Sequence, residues 1–168
     1  MKRIIFLGAI LMLVSDLGYA APPDENTVRS CLQAQSVAHS VSIKILRTSE
    51  ITQEDDYGDG FNANYIFKYR GGDAGYAEGR SDQALIYSGR LYRLSKALTL
   101  GDSHEIRPGE FNPNLAQWSI AKAGGQQYLC VSFTFDGLGK SGSFQSVHGG
   151  YMLNIKTKSL YFAVREVK

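Results

Sequence analysis

The stretch that decides the fold is QWSIAKAGGQQYLCVSFTF, residues 117–135. Two strand-like runs, 117–123 and 126–135, flank Gly124-Gly125. A two-residue glycine connection between such runs is typical of a tight β-hairpin, because its backbone can adopt positive φ angles. The stretch therefore predicts two paired antiparallel strands.

The second strand of this hairpin begins apolar on both faces. Alternate positions place four apolar side chains on one face: Leu129, Val131, Phe133 and Phe135. Tyr128 and Cys130 begin the opposite face. A strand that is apolar on both sides belongs at the centre of a sheet, with another layer packed on its reverse face.

Short strands separated by turn residues account for most of the remaining chain. The pattern predicts further strands at 41–45, 62–70, 83–87, 91–94, 151–155 and 160–167. Ten tyrosines and eight phenylalanines also favour β-structure. We expect a mainly β (α+β) fold, an antiparallel sheet or partly closed barrel of about seven or eight strands with one helix packed on it.

The segment after Pro22-Pro23 predicts that helix, with Asp24 or Asn26 as its N-cap and an end near Ala38. Residues at three-and-four spacing form one face: Val28, Cys31, Leu32, Gln35 and Ala38. The helix thus supplies the layer expected behind the central strand.

The chain has two cysteines, Cys31 on the helix face and Cys130 on the central strand. In an oxidising compartment such a pair predicts a disulfide, which would pin the helix to the sheet. It would close a loop of roughly 100 residues and stabilise the fold by about 4–5 kcal/mol. The alternative, a nucleophilic Cys31 paired with His39 or His148, lacks the surrounding signature of a cysteine hydrolase.

The N-terminus has the pattern of an export signal. Lys2 and Arg3 precede an apolar run at 4–14, and Gly18-Tyr19-Ala20 offers small residues for cleavage after Ala20. We expect a signal peptide at 1–20, a single β-rich domain at 21–168 and a periplasmic protein without a membrane anchor. Cleavage removes two positive charges and one negative charge, so the net charge falls from +2 to +1. This balance argues against nucleic acid as a partner.

Three other features could carry chemistry, and each has a simpler interpretation. The acidic stretch 54–64 offers oxygen ligands for calcium, but the EF-hand order is missing, which favours a solvated acidic hairpin. The glycines of 71–80 lack the following helix that a phosphate site requires, which favours a loop. His39, His104 and His148 show no metal-ligand spacing. We predict no metal site and no cofactor.

The stretch 136–151, DGLGKSGSFQSVHGGY, is the best candidate for a functional element. It separates two predicted strands by more residues than most hairpin loops contain, and long ordered loops are often binding elements. Ser141 and Ser143 can donate and accept hydrogen bonds, while Gly142 lets the backbone approach a narrow cleft. We expect Phe144 or Tyr151 to be the apolar anchor, with Lys140 and His148 at the rim.

At Ser141-Gly142-Ser143 the chain resembles periplasmic inhibitors of peptidoglycan hydrolases. These include lysozyme inhibitors and the immunity proteins against type VI secretion amidases, which are small β-rich proteins with a serine-bearing loop. The resemblance implies a protein partner whose active site the loop plugs, and no catalytic residues in the inhibitor itself. The motif continues as Phe144-Gln145-Ser146, not as the Gly-Ala-x-Tyr of lysozyme inhibitors, which favours an amidase as the target.

Two alternatives remain open at this point. One is an envelope module that binds a small ligand or another protein through the sheet face and its tyrosines. The other is a serine hydrolase in which Ser141 or Ser143 pairs with His148, although the sequence shows neither a nucleophile elbow nor an identifiable acid partner.

Overall fold

The structure, a computed structural model, describes residues 21–48, 50–102, 116–134 and 147–166. Its single α-helix in these ranges, α1, spans Glu25–Gln33, and Leu94–Lys96 form one 3₁₀ turn. The strands are β1 Val41–Ile45, β2 Thr52–Gly58, β3 Phe61–Tyr69, β4 Gly72–Gly79, β5 Gln83–Tyr87, β6 Arg90–Arg93, β7 Leu98–Thr99, β8 Gln117–Ala123, β9 Gln126–Thr134, β10 Val147–Asn154 and β11 Leu160–Glu166.

The strands form two sheets that are almost entirely antiparallel. The six-stranded sheet has the order β1-β8-β9-β10-β11-β7, and the five-stranded sheet has the order β2-β3-β4-β5-β6. The one parallel pair among the described strands joins β11 and β7. The hairpin at Gly124-Gly125 is present, and both glycines have the positive φ angles that a tight turn requires. The prediction of paired strands at 117–135 is therefore confirmed as far as Thr134.

The two sheets pack face to face through one large apolar cluster. Trp118 of β8 is 1% exposed and meets two aromatic rings of β3, stacking on Tyr65 at 6.0 Å and meeting Phe67 edge-on at 5.2 Å. Tyr151 and Phe162 meet at 5.0 Å beside them. Each aromatic pair stabilises the fold by about 0.5–1.5 kcal/mol beyond the effect of the area it buries, so this cluster contributes much of the packing between the sheets.

Helix α1 covers the outer face of the six-stranded sheet. Asp24 is its N-cap, and the Asp24 carboxylate accepts a hydrogen bond from Thr27 N at 2.7 Å. Val28, Cys31 and Leu32 are buried against the sheet. The disulfide between Cys31 and Cys130 joins the helix to β9, with the two Cα atoms 5.4 Å apart. The predicted disulfide is confirmed, and so is the part of the predicted helix face formed by Val28, Cys31 and Leu32. Gln35 and Ala38, the other two residues of that face, follow the end of the helix.

The fold class is confirmed, and the strand count is higher than expected. The described residues hold eleven strands instead of seven or eight, and they lie in two sheets with the one helix fixed to the larger sheet. No helix in the described part of the chain is long and apolar enough to cross a membrane.

The glycine-rich segment 71–80 was predicted to be a loop, and this prediction is wrong. It forms β4, which pairs with both β3 and β5 at the centre of the five-stranded sheet. The pairing of β3 with β4 shifts register between Ala63 and Tyr65, and the two backbones approach closely next to this shift. A Cβ atom on Gly75 would lie 1.8 Å from the Tyr65 carbonyl oxygen, so glycine permits the pairing.

The long loop predicted at 136–151 ends earlier than expected, because its last five residues belong to a strand. Strand β10 begins at Val147, and His148, Gly149 and Gly150 pair with both β9 and β11. The glycines were interpreted as loop residues because they lack β-propensity. Gly150 instead lies where the helix packs closely on the sheet, since an added Cβ would meet a Leu32 methyl at 2.9 Å.

Candidate functional site

A surface cavity of about 440 Å³ lies at the C-terminal end of α1. The helix ends at Gln33, where Ala34 adopts a left-handed conformation and donates its N–H to Cys31 O. The predicted end at Ala38 is therefore four to five residues too late. Because the helix stops early, it leaves the end of the underlying sheet uncovered, and the cavity occupies this position.

The cavity combines amide side chains with apolar ones. Its described lining includes Gln33, Gln35, Gln117, Leu32, Phe133 and Ile45. The Gln35 side-chain N–H donates to Gln33 Oε1 at 2.9 Å, and Gln117 Nε2 donates to the Trp118 carbonyl at 3.3 Å. Amides offer donors and acceptors without charge, so the surface suits a neutral partner that brings both polar and apolar groups.

Ile45 is the exposed apolar group of this surface. It ends β1 on the strand's outward side, and 54% of it is accessible to solvent. Val41 at the other end of the same strand is 2% exposed. The difference follows from the short helix, which covers Val41 and does not reach Ile45. An exposed large aliphatic side chain at the rim of a cavity is typical of a binding surface.

His148 is the titratable side chain among the described lining residues. It lies in β10 opposite Thr134 of β9, half-buried. Its Nδ1 is 3.4 Å from Leu32 O, a carbonyl in the last turn of α1. The N–H form of Nδ1 can donate to that carbonyl, which leaves Nε2 as an acceptor for a partner.

The ends of β9 and β10 also meet at this cavity. Thr134 and His148 are paired, and twelve residues, 135–146, connect the two strands. The predicted binding residues Lys140, Ser141, Gly142, Ser143 and Phe144 belong to that connection and lie outside the described residues. The same holds for the predicted signal peptide at 1–20.

The prediction that Tyr151 contacts a partner is wrong. This residue was a candidate for the apolar anchor of a partner interface, but it is fully buried between the sheets, against Phe162 and Phe133. Four residues beyond the start of β10, its side chain points into the core, so it stabilises the sandwich and cannot reach a partner. His148, by contrast, is partly exposed, and its role as a rim residue of a partner interface stays a prediction.

The other candidate sites gain little support. No group of three or more His, Cys, Asp or Glu residues in the described ranges could hold a metal ion. The acidic stretch forms the end of β2 and the turn into β3, with its carboxylates exposed. The nucleophile hypothesis for Cys31 is wrong, since its sulfur is bonded to Cys130.

The sequence reading missed Gln33, Gln35, Ile45 and Gln117 as site residues. They come from α1, the following turn, β1 and β8, and only the tertiary fold brings them together. Only the length of β1 could have indicated Ile45. Val41, Ile43 and Ile45 lie on the face of β1 that the helix covers in part, and a helix of nine residues does not reach the third of them.

No family model, curated protein or solved structure matches this chain.

Proposed function

We propose that the protein is a periplasmic inhibitor, an immunity protein that binds a peptidoglycan-degrading enzyme and blocks its active site with the Ser141-Gly142-Ser143 segment. A type VI secretion amidase is the preferred target and a lysozyme the second. The observation that carries the proposal is the pairing of His148 with Thr134, because it places both ends of the segment's connection beside an apolar, amide-lined cavity.

The chemistry of the cavity supports a protein partner. Interfaces centre on apolar anchors surrounded by neutral hydrogen-bonding groups, and Ile45 with Gln33 and Gln117 provides this combination. The segment would enter the cleft of the enzyme, and the cavity beside it would receive the rim of that cleft. No catalytic residue of the inhibitor takes part.

Inhibition of peptidoglycan digestion tests the proposal. Purified protein is titrated against a panel of amidases and a lysozyme, and we expect suppression of one of them at near-stoichiometric ratio. Replacement of Ser141 and Ser143 by tryptophan should abolish inhibition and leave the melting temperature within about 2 °C, since surface substitutions rarely alter stability. Full inhibition by this variant would refute the plug.

Ile45→Asp tests the cavity separately, with Ile51→Asp as its matched control. The two isoleucines are 54% and 47% exposed, and only Ile45 lines the cavity. We expect Ile45→Asp to weaken inhibition by about 30-fold, the effect of losing an apolar anchor of the interface, and Ile51→Asp to have no effect. Equal effects of the two changes would remove the cavity from the interface.

A second candidate function is the binding of a small neutral ligand in the same cavity. Its volume of about 440 Å³ lies within the range of small-molecule sites, and its amides suit a ligand with amide and hydroxyl groups. Calorimetry with soluble peptidoglycan fragments distinguishes the two functions. Fragment binding that is lost in His148→Ala, without inhibition of any enzyme in the panel, would favour this second function.

A further inference from the structure

A groove with a basic rim lies at the β6 edge of the five-stranded sheet, which is the edge opposite to β2. It has a volume of about 500 Å³ and lies between β6 and the turn that joins β10 to β11. Arg93, Lys96 and Lys158 line it, and all three are exposed. Among the described residues none of the three forms an ion pair, and no carboxylate lines the groove. We call this surface the basic groove.

The floor of the basic groove is apolar. Leu91 and Tyr92 of β6 line it half-buried, and Leu98 of β7 is 57% exposed. Lys158 lies with its Nζ 4.9 Å from the centre of the Tyr87 ring, so its ammonium group is held at the groove. An apolar floor with a positive rim suits a partner that presents carboxylates around an apolar or aromatic centre.

The same chain carries a surface of this kind. Glu54, Asp55, Asp56 and Asp59 are exposed at the end of β2 and in the turn to β3, around the half-buried Tyr57. None of these four carboxylates forms an ion pair with a described residue. We call this element the acidic hairpin. It concentrates four negative charges in a chain whose net charge is only +2.

The acidic hairpin is shaped for side-chain contacts and not for extension of the sheet. The pairing of β2 with β3 shifts register on both sides of Glu54, and Asp56 has a positive φ of 57° within the strand. Such bulges interrupt the row of backbone groups that another strand would need for pairing. The hairpin therefore offers a compact acidic projection.

We propose that the acidic hairpin of one copy of this chain docks in the basic groove of a second copy. The hairpin and the groove lie at the two opposite edges of the five-stranded sheet, β2 and β6, so a copy cannot satisfy both within itself. The contact is head-to-tail, and each bound pair still has one free hairpin and one free groove. Head-to-tail contacts of this type build a closed ring or an open chain.

Sedimentation velocity at two salt concentrations tests the proposal. We expect concentration-dependent association in 50 mM NaCl and an association constant at least about tenfold lower in 500 mM NaCl, because exposed ion pairs are screened. A groove variant, Lys96→Gln with Lys158→Gln, and a hairpin variant, Glu54→Gln with Asp55→Asn, should each be monomeric.

A mixture of the two variants provides the sharpest measurement. The hairpin variant keeps an intact groove, and the groove variant keeps an intact hairpin, so one contact can form between them and no more. We expect the mixture to form a heterodimer and no larger species. Lys44→Gln with Lys122→Gln is the matched control, because these exposed lysines lie in β1 and β8 of the other sheet. It should associate as the unaltered protein does.

Three results would overturn the proposal. The first is a monomer at every concentration in 50 mM NaCl. The second is association that both variants retain. The third is a monomeric protein whose groove binds a synthetic acidic peptide of another sequence, which would assign the groove to a different protein partner.

Discussion

Loss of the disulfide between Cys31 and Cys130 should remove a large part of the stability of this fold. The bond spans 99 residues, and in the chain-entropy model a closed loop of that length restricts the unfolded chain by about 4.7 kcal/mol. The free energy of unfolding of a domain of this size is only about 5–15 kcal/mol. At the lower end of this range, the loss of the disulfide would remove nearly all of the stability.

The double variant Cys31→Ala, Cys130→Ala is the appropriate perturbation. Both sites are fully buried, and alanine introduces neither an unpaired hydroxyl nor a free thiol there. With the usual unfolding entropy per residue, the stated loss corresponds to a fall in melting temperature of about 15 °C.

Urea and thermal unfolding of the oxidised protein, the reduced protein and the double variant measure the effect. The reduced protein and the double variant should agree within about 1 kcal/mol, because both lack the same loop. A loss below about 1 kcal/mol in the double variant would refute the loop argument. It would show that the unfolded chain gains no freedom when the bond is missing.

Two further changes test the helix and its contact with the sheet. Gly150→Ala should cost about 2 kcal/mol in urea unfolding, since its Cβ would lie 2.8 Å from the Val131 carbonyl oxygen and overpack the joint; a loss below 0.5 kcal/mol would contradict this packing. Asp24→Ala should cost about 1 kcal/mol through loss of the N-cap. Hydrogen bonds from Thr27 hold the pKa of the Asp24 carboxyl below its usual range, and an arginine of β11 does the same for Glu25. A carboxyl whose pKa is lower in the folded state stabilises the fold above its unfolded-state pKa, and this stabilisation is lost as the pH falls. The urea midpoint of the protein should therefore fall when the pH is lowered below about 4. The midpoint of Asp24→Ala should fall less steeply, because this variant lacks one of the two carboxyls.

Much of the larger sheet could be predicted from local patterns. The glycine dipeptide between two strand-like runs identified β8 and β9, and the two apolar faces of β9 predicted a layer on each side. The isolated cysteine pair then connected the helix to this strand. These signals depend on neighbouring residues or on the one pair of cysteines, so they can be recognised without knowledge of the tertiary fold.

The five-stranded sheet could not be predicted to the same extent. Strand β4 is rich in glycine and alanine, and Gly75 permits the close approach of the Tyr65 carbonyl of β3; a segment so rich in small residues resembles a loop. Strand β2 is exposed along its first five residues, so burial leaves no alternation in its sequence. In both cases pairing with the neighbouring strands stabilises the extended conformation, and the strand's own sequence does not indicate it.

The candidate site was predicted only in part. His148 was expected at a rim and lines the cavity, whereas Tyr151, three residues on, turned out to belong to the core. The alternation of a strand explains the difference, because β10 was expected to begin at Tyr151 and in fact begins at Val147. The serines of 140–144 remain a prediction.

The order of strands in the larger sheet has a consequence for how the chain folds. Its edge strand β1 pairs with β8, and the entire five-stranded sheet lies between these two strands in the sequence. Pairing of β1 must therefore wait until about 70 residues have been brought into a compact unit, and such non-local pairing makes folding slow. The β8–β9 and β10–β11 hairpins can form early, and they would present an uncovered apolar face until the helix arrives. This interval of folding is when the chain would be most exposed to aggregation and proteolysis.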